Sequence, residues 1–274
     1  MMFFEKRFDT EEVMLNYAEG PKNGPPLVIL HGTTARWQNH IPLINHFINR
    51  WHIYALDFRG HGESGRTPNK YGLRYMYNDT IRFITQVVKE PAHIFGHSLG
   101  GRVAIIIAAN NSYITKSIII RDSSLKYDMK STGFDKRMRK LDEVLAKKRT
   151  LKEIKEEYIE RWRNHPVHLW TKARDYLQLD PKFPLSVADN CDDPDDPESY
   201  VYGYKPLELM RKISCPVLLI QAETSQMKDE DVEKALEILS DAYHVKIDGF
   251  SHALHYGNVT PIAKAINYFL ESIR

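Results

Sequence analysis

Ala92-His93-Ile94-Phe95-Gly96-His97-Ser98-Leu99-Gly100-Gly101-Arg102-Val103-Ala104 is the stretch that decides the fold. An apolar run enters a G-x-S-x-G pentapeptide. Small and apolar residues then follow at helical spacing, at Val103, Ile106 and Ile107. That pattern is strand, sharp turn, helix, with Ser98 at the turn. A serine on so tight a turn has backbone angles that bulky neighbours would obstruct. Gly96 and Gly100 leave room for the turn and for the strand to approach the helix. Ser98 Oγ is then lifted clear of the sheet, and the N–H of Leu99 sits at a helix N-terminus, where it can stabilise a developing oxyanion.

Working outward, apolar strand patterns alternate with helical ones. Residues 3–8 and 13–17 read as two strands joined by a polar turn. Residues 27–30 form a continuous apolar run that suits a strand buried on both faces. Strands follow at 52–56 and 116–120, and amphipathic helices at 37–47 and 73–88. This rhythm predicts a mainly parallel α/β sheet, doubly wound, with right-handed crossovers. Ligand sites in such sheets lie at the C-terminal ends of the strands, where His31, Ser98 and Asp122 all fall. Between 125 and 210 the rhythm breaks, with a charged helical pattern and then a loop rich in Pro, Asp and Tyr. It returns with strands at 216–220 and 243–247 and helices at 231–239 and 262–273.

Four segments, in order and at consistent spacing, carry a family resemblance: His31-Gly32-Thr33-Thr34, Asp57-Phe58-Arg59-Gly60-His61-Gly62-Glu63-Ser64, Gly96 to Gly101, and Gly249-Phe250-Ser251-His252. Together they resemble the α/β-hydrolases. The resemblance implies a core over 1–124 and 211–274 and a helical cap over 125–210 that roofs the pocket. It implies Ser98 as nucleophile and His252 as base, in the chain order Ser, acid, His; His255, three residues on, is a competitor. It places the oxyanion donors on the N–H groups of Thr33 and Leu99. Thr34, His97, Trp162 and Trp170 are candidates to line the substrate pocket. His97 reads chiefly as a neighbour packing beneath the site, because adjacent strand residues point to opposite faces. His61 reads as part of a structural loop in which Asp57 and Arg59 pair or bond backbone groups.

The acid departs from the family pattern. The family usually carries it on the loop after strand 216–220, where this chain has Ala222-Glu223-Thr224-Ser225, with Ser225 in place of the expected Asp. Asp122, at the end of the preceding core strand, and Glu223, on the usual loop, both remain open, with a slight lean to Asp122. Asp229 reads as a helix start.

The expected chemistry is hydrolysis of a small carboxylic ester, thioester or lactone through an acyl-enzyme, with neither metal nor organic cofactor. Cleavage of a C–C bond in a diketone-like substrate stands as the alternative. A small-molecule receptor with a silent triad and a cofactor-free oxygenase are two further readings. The chain has 274 residues, enough for one large α/β domain with an insertion. Its net charge of +2 gives no argument for a nucleic-acid partner. The two cysteines, Cys191 and Cys215, have no metal-type or disulfide-framework spacing. The N-terminus meets charge too soon for a signal-peptide core, and no apolar run is long enough to cross a bilayer. These features lead to the expectation of a cytoplasmic protein acting on a small molecule; oligomeric state is not readable.

Overall fold

The computed structural model describes residues 3–33, 35–67, 70–126, 205–252 and 259–273. Its eight strands are β1 (Phe4–Asp9), β2 (Met14–Glu19), β3 (Pro26–Leu30), β4 (His52–Leu56), β5 (Ala92–His97), β6 (Thr115–Arg121), β7 (Val217–Thr224) and β8 (Ala242–Ser251). They form one sheet in the order β1-β2-β4-β3-β5-β6-β7-β8. β1, β2 and β4 pair antiparallel, and every pairing from β4 through β3 to β8 is parallel. The α/β class and the mostly parallel sheet agree with the sequence reading.

The central strands β3 and β5 are buried along their whole length; β3 is an unbroken apolar run, and β5 carries His93 and His97 among its apolar residues. Alternation divides their side chains between two cores. Val28, Leu30, Ile94, Ile118 and Ile120 face one core, with Met76 and Phe83 of α2 (Leu73–Phe83) and Val103 and Ile106 of α3 (Leu99–Asn110). Leu27, Ile29, Phe95, Ile119 and Ile220 face the other, with Ile44 of the short α1 (Ile41–Ile44) and Ile262, Ile266 and Phe269 of α6 (Thr260–Ser272). Two further helices, α4 (Pro206–Met210) and α5 (Asp229–Ile238), flank β7 in sequence. The sheet is thus covered on both sides, and helices α2 and α3 lie opposite α1 and α6.

Several elements differ from the sequence reading. The helix expected over 73–88 ends at Phe83 and continues as a π-turn, Ile84–Val88, closed by Lys89 in a left-handed conformation. The helix expected over 37–47 is a 3-10 turn, Trp37–His40, followed by the single turn of α1. β7 and β8 run longer than expected because they pair beyond the apolar run, with a register irregularity between Ala222 and Thr224. The segment expected as a cap lies outside the described residues over 127–204.

The loop after β4 is built as a brace. Asp57, fully buried, accepts from Trp37 N (2.7 Å), Asn16 Nδ2 (2.9 Å) and Glu63 N (3.2 Å). Asp57 and Arg59 do not pair with each other: Arg59 makes a bidentate bond to Asp79 of α2, at 2.7 Å on each arm. Both partners are buried, with side-chain exposures of 1% and 4%. Asp79→Ala leaves the guanidinium buried without its main counter-charge. We expect a loss of about 3 kcal/mol or more, read as a lower urea midpoint at unchanged slope.

Candidate active site

Three strand ends meet at the site: β3 brings residues 31–33, β5 brings Ser98, and β6 brings Asp122. Ser98 adopts φ +50° and ψ −109°, outside the ordinary regions for a residue with a Cβ. Such a conformation costs about 1–3 kcal/mol and persists only where its surroundings hold it. The holding contacts are on both sides of the residue. Ser98 N–H donates to Arg121 O (3.1 Å), and Ser123 Oγ donates to Ser98 O (2.8 Å). The turn at Ser98 is therefore fastened to the two residues that flank Asp122. Ser123 was not singled out from sequence, because nothing local marks a serine whose partner lies on another strand.

The glycines of the turn are required by contact. A Cβ on Gly100 would lie 2.3 Å from the Leu30 carbonyl oxygen, and one on Gly96 would lie 2.3 Å from the Gly100 oxygen. Both obstacles are backbone and cannot move aside. Gly100 N–H also donates to His31 O (3.1 Å), which draws the β3 loop onto the turn. Gly100→Ala should cost about 3 kcal/mol or more by forcing β3 and α3 apart. Chemical denaturation is the check; a loss under about 1 kcal/mol would show that the backbone can relax there.

His31 is an organiser of this loop. Its Nε2 accepts from Phe58 N–H (3.0 Å), so the ring proton lies on Nδ1, which donates to Gly32 O (2.7 Å). Complete burial holds its pKa well below the ordinary histidine value. A Cβ on Gly32 would be 3.3 Å from Ser98 Cβ, so the chain at Gly32 lies directly against Ser98. Thr33 follows in an exposed turn. Leu99 opens α3, and its N–H has no intrahelical acceptor, as for the first residue of any helix. Thr34, Trp162 and Trp170 lie outside the described residues.

Asp122 meets His252. Nδ1 of His252 is 2.6 Å from Oδ2 of Asp122, whose side chain is 1% exposed, while that of His252 is 29% exposed. An ionised carboxylate only accepts, so Nδ1 carries the proton and Nε2 of the neutral ring is left as an acceptor. Burial by itself would push the Asp122 carboxyl up. The hydrogen bond and charge of His252, the Ser225 hydroxyl and the Gln226 N–H outweigh burial and hold the group below its ordinary value.

Glu223 does not reach this histidine. It stands exposed near the end of β7 and accepts from Gly249 N (2.8 Å), which ties β7 to the end of β8, just before His252. Its position in the family's usual acid loop is therefore not accompanied by the acid's contact. Ser225, where the family pattern has Asp, donates its hydroxyl to Asp122 Oδ1.

His97 packs against His252. It is buried, and its Nε2 donates to the carbonyl of His252 (3.0 Å), with the two rings 5.0 Å apart. The residue next to Ser98 thus supports the turn that carries His252. Below it, His40 is buried with its ring 6.4 Å from that of His97, and burial pushes its pKa down to about 3. His61 is also enclosed, pushed down to about 4 by burial, and donates from Nδ1 to Arg59 O (3.1 Å). Its place is in the brace after β4, as the sequence reading had it. Cys215 is half-buried, and burial pushes its thiol up to about 11. Among the described residues, no group of three or more His, Cys, Asp or Glu could hold a metal ion. No described helix is long and apolar enough to cross a membrane.

Residues 25–259 match the family model of the alpha/beta hydrolase fold. The chain belongs to the α/β-hydrolase family. It is 25% identical over 260 residues to a Haemophilus influenzae protein named for esterase and lipase activity, covering 90% of this chain and 84% of that one. It is 29% identical over 120 residues to the 2-(acetamidomethylene)succinate hydrolase of Mesorhizobium japonicum, covering 44% and 43%. Several curated relatives, that one included, are matched over less than half of their own length. Among solved structures, a thermophilic esterase from Thermogutta terrifontis superposes with TM-score 0.78 at 20% identity, covering 98% of this chain and 99% of that one. At that identity the likeness is one of fold. This α/β-hydrolase therefore has hydrolases among its relatives, and its own substrate has to be argued from its site.

Proposed function

We propose that this α/β-hydrolase is a serine hydrolase that cleaves small carboxylic esters, thioesters or lactones through an acyl-enzyme. The observation that carries the reading is the 2.6 Å Asp122–His252 pair, combined with a strained Ser98 whose backbone is bonded to the residues flanking that aspartate.

The chemistry follows from those positions. Ser98 Oγ attacks the acyl carbon, and its proton passes to Nε2 of His252. Asp122 keeps the other ring nitrogen protonated and stabilises the imidazolium as it forms. The N–H groups of Leu99 and Thr33 receive the oxyanion. His252 then protonates the leaving group. Water, activated by the same histidine, hydrolyses the acyl-enzyme and restores Ser98. The reading assigns Ser98 and His252 to proton transfer and bond making, Asp122 to holding His252, and Glu223 to a structural tie. It takes residues 125–210 as a cap dividing the core into 1–124 and 211–274, and it gives Trp162 and Trp170 of that cap, with Thr34, to the pocket. His97, buried and bonded to the His252 carbonyl, is taken out of the pocket. The low identity to named esterases and succinate-derivative hydrolases supports the reaction class and leaves the acyl group open.

A panel of chromogenic acyl esters of graded chain length, with one thioester and one lactone, tests the reading against wild type and Ser98→Ala. Turnover of at least one member that disappears in the variant is the expected outcome. Folded wild-type protein inert toward the whole panel, or turnover that persists in Ser98→Ala, would count against it.

A further inference from the structure

We propose that Ser225 is a positioning residue for the acid: its hydroxyl fixes the Asp122 carboxylate in the orientation that holds His252. The proposal rests on the serine-hydrolase reading for its catalytic consequence.

The direction of the hydrogen bonds is determined by the donors present. Met227 N–H donates to Ser225 Oγ at 2.8 Å. The hydroxyl has a single proton, which is therefore free to point at Asp122 Oδ1. The two carboxylate oxygens have separate tasks, Oδ2 accepting from His252 and Oδ1 from Ser225. Other donors are distant: Ala222 N lies 3.5 Å from Oδ1 and Gln226 N lies 3.5 Å from Oδ2. Asp122 itself sits at φ +46°, a conformation that a residue with a Cβ keeps only under constraint. Its carboxylate is almost fully enclosed, so an oxygen deprived of Ser225 has no good replacement donor among these groups. Rotation about the side chain, or uptake of a proton, would then relieve the buried charge. The titratable and charged groups facing Asp122 among the described residues are His252, across the hydrogen bond, and Arg121, its neighbour in the chain. Neither contacts Oδ1.

The test uses the full chain with Ser225→Ala, Ser225→Cys and Ser225→Thr. Two readouts are taken: kcat and KM on an ester cleaved by wild type, and the carboxyl titration of Asp122 by carbon NMR, assigned by its disappearance in Asp122→Asn. Ser225→Ala should lower kcat about tenfold with KM within about twofold. Its Asp122 should titrate at least about half a unit higher, because a donor to the charged form is gone. Ser225→Thr keeps the hydroxyl and should match wild type in both readouts. Ser225→Cys, a weaker donor of nearly the same size, should fall between serine and alanine and decides the matter if the alanine variant does not fold. Wild-type kcat and an unmoved Asp122 titration in the alanine or cysteine variant would overturn the proposal. If wild type shows no Ser98-dependent turnover, the hydrolase reading fails separately, and the titration alone decides whether Ser225 holds the carboxylate.

Discussion

Ser98→Ala should lower kcat on any cleaved ester by about 10⁵-fold or more, and His252→Ala should fall to a similar floor. The double variant falls little further, because each residue works only through the other. Among the described residues, the two groups beside Ser98 that could substitute for it are already engaged. His97, the adjacent side chain, is buried with its Nε2 engaged by the His252 carbonyl. Ser123, two residues beyond β6, is buried and donates to the Ser98 carbonyl. Steady-state kinetics on folded variants checks this. A Ser98→Ala protein within about a hundredfold of wild type would mean that the nucleophile lies elsewhere.

Asp122→Asn should lower kcat by about 10³- to 10⁴-fold, or roughly 4–5 kcal/mol of barrier. Asparagine is the same size but has only one acceptor oxygen. The site asks for two, one facing the His252 Nδ1–H and one facing the Ser225 hydroxyl. Whichever way the amide turns, one donor meets an NH₂ group, and the imidazolium loses its counter-charge in either case. Glu223→Gln should leave kcat within about twofold. The glutamine oxygen can still accept from Gly249 N–H, and the side chain is exposed. The contrast between the two isosteric changes identifies the acid. Equal losses in both would contradict the assignment, and a greater loss in Glu223→Gln would reverse it.

The difference between those two carboxylates also marks the limit of what the sequence carried. The turn at Ser98 was legible because its requirements are local: an apolar strand, glycines two residues either side of the serine, and a helix pattern after it. The parallel core was legible because doubly buried strands must be largely apolar, as at 27–30 and 118–120. The order of β2, β4 and β3 across the sheet was not, since strand pairing depends on contacts among segments tens of residues apart. The acid was legible only as a choice between two. Ser225 and Asp122 are 103 residues apart, and no local pattern shows that a serine at the family's acid position donates to an aspartate on the next strand. His97 was legible as a neighbour packing beneath the site but not in its partner, a backbone carbonyl 155 residues away. Asp57 and Arg59 were legible as structural but not in their partners, because Asp79 enters from α2.

The central claim is that Ser98 is activated by His252, itself held by Asp122. The most direct measurement is the rate at which a fluorophosphonate probe labels the intact protein, with the modified residue located by peptide mass spectrometry. It needs no knowledge of the substrate. The account predicts labelling at Ser98 in wild type and Glu223→Gln at similar rates. It predicts a fall of at least about a hundredfold in His252→Ala and Asp122→Asn, and no labelling of that peptide in Ser98→Ala. A folded wild-type protein that does not react at Ser98, or one that reacts equally well without His252, would contradict it.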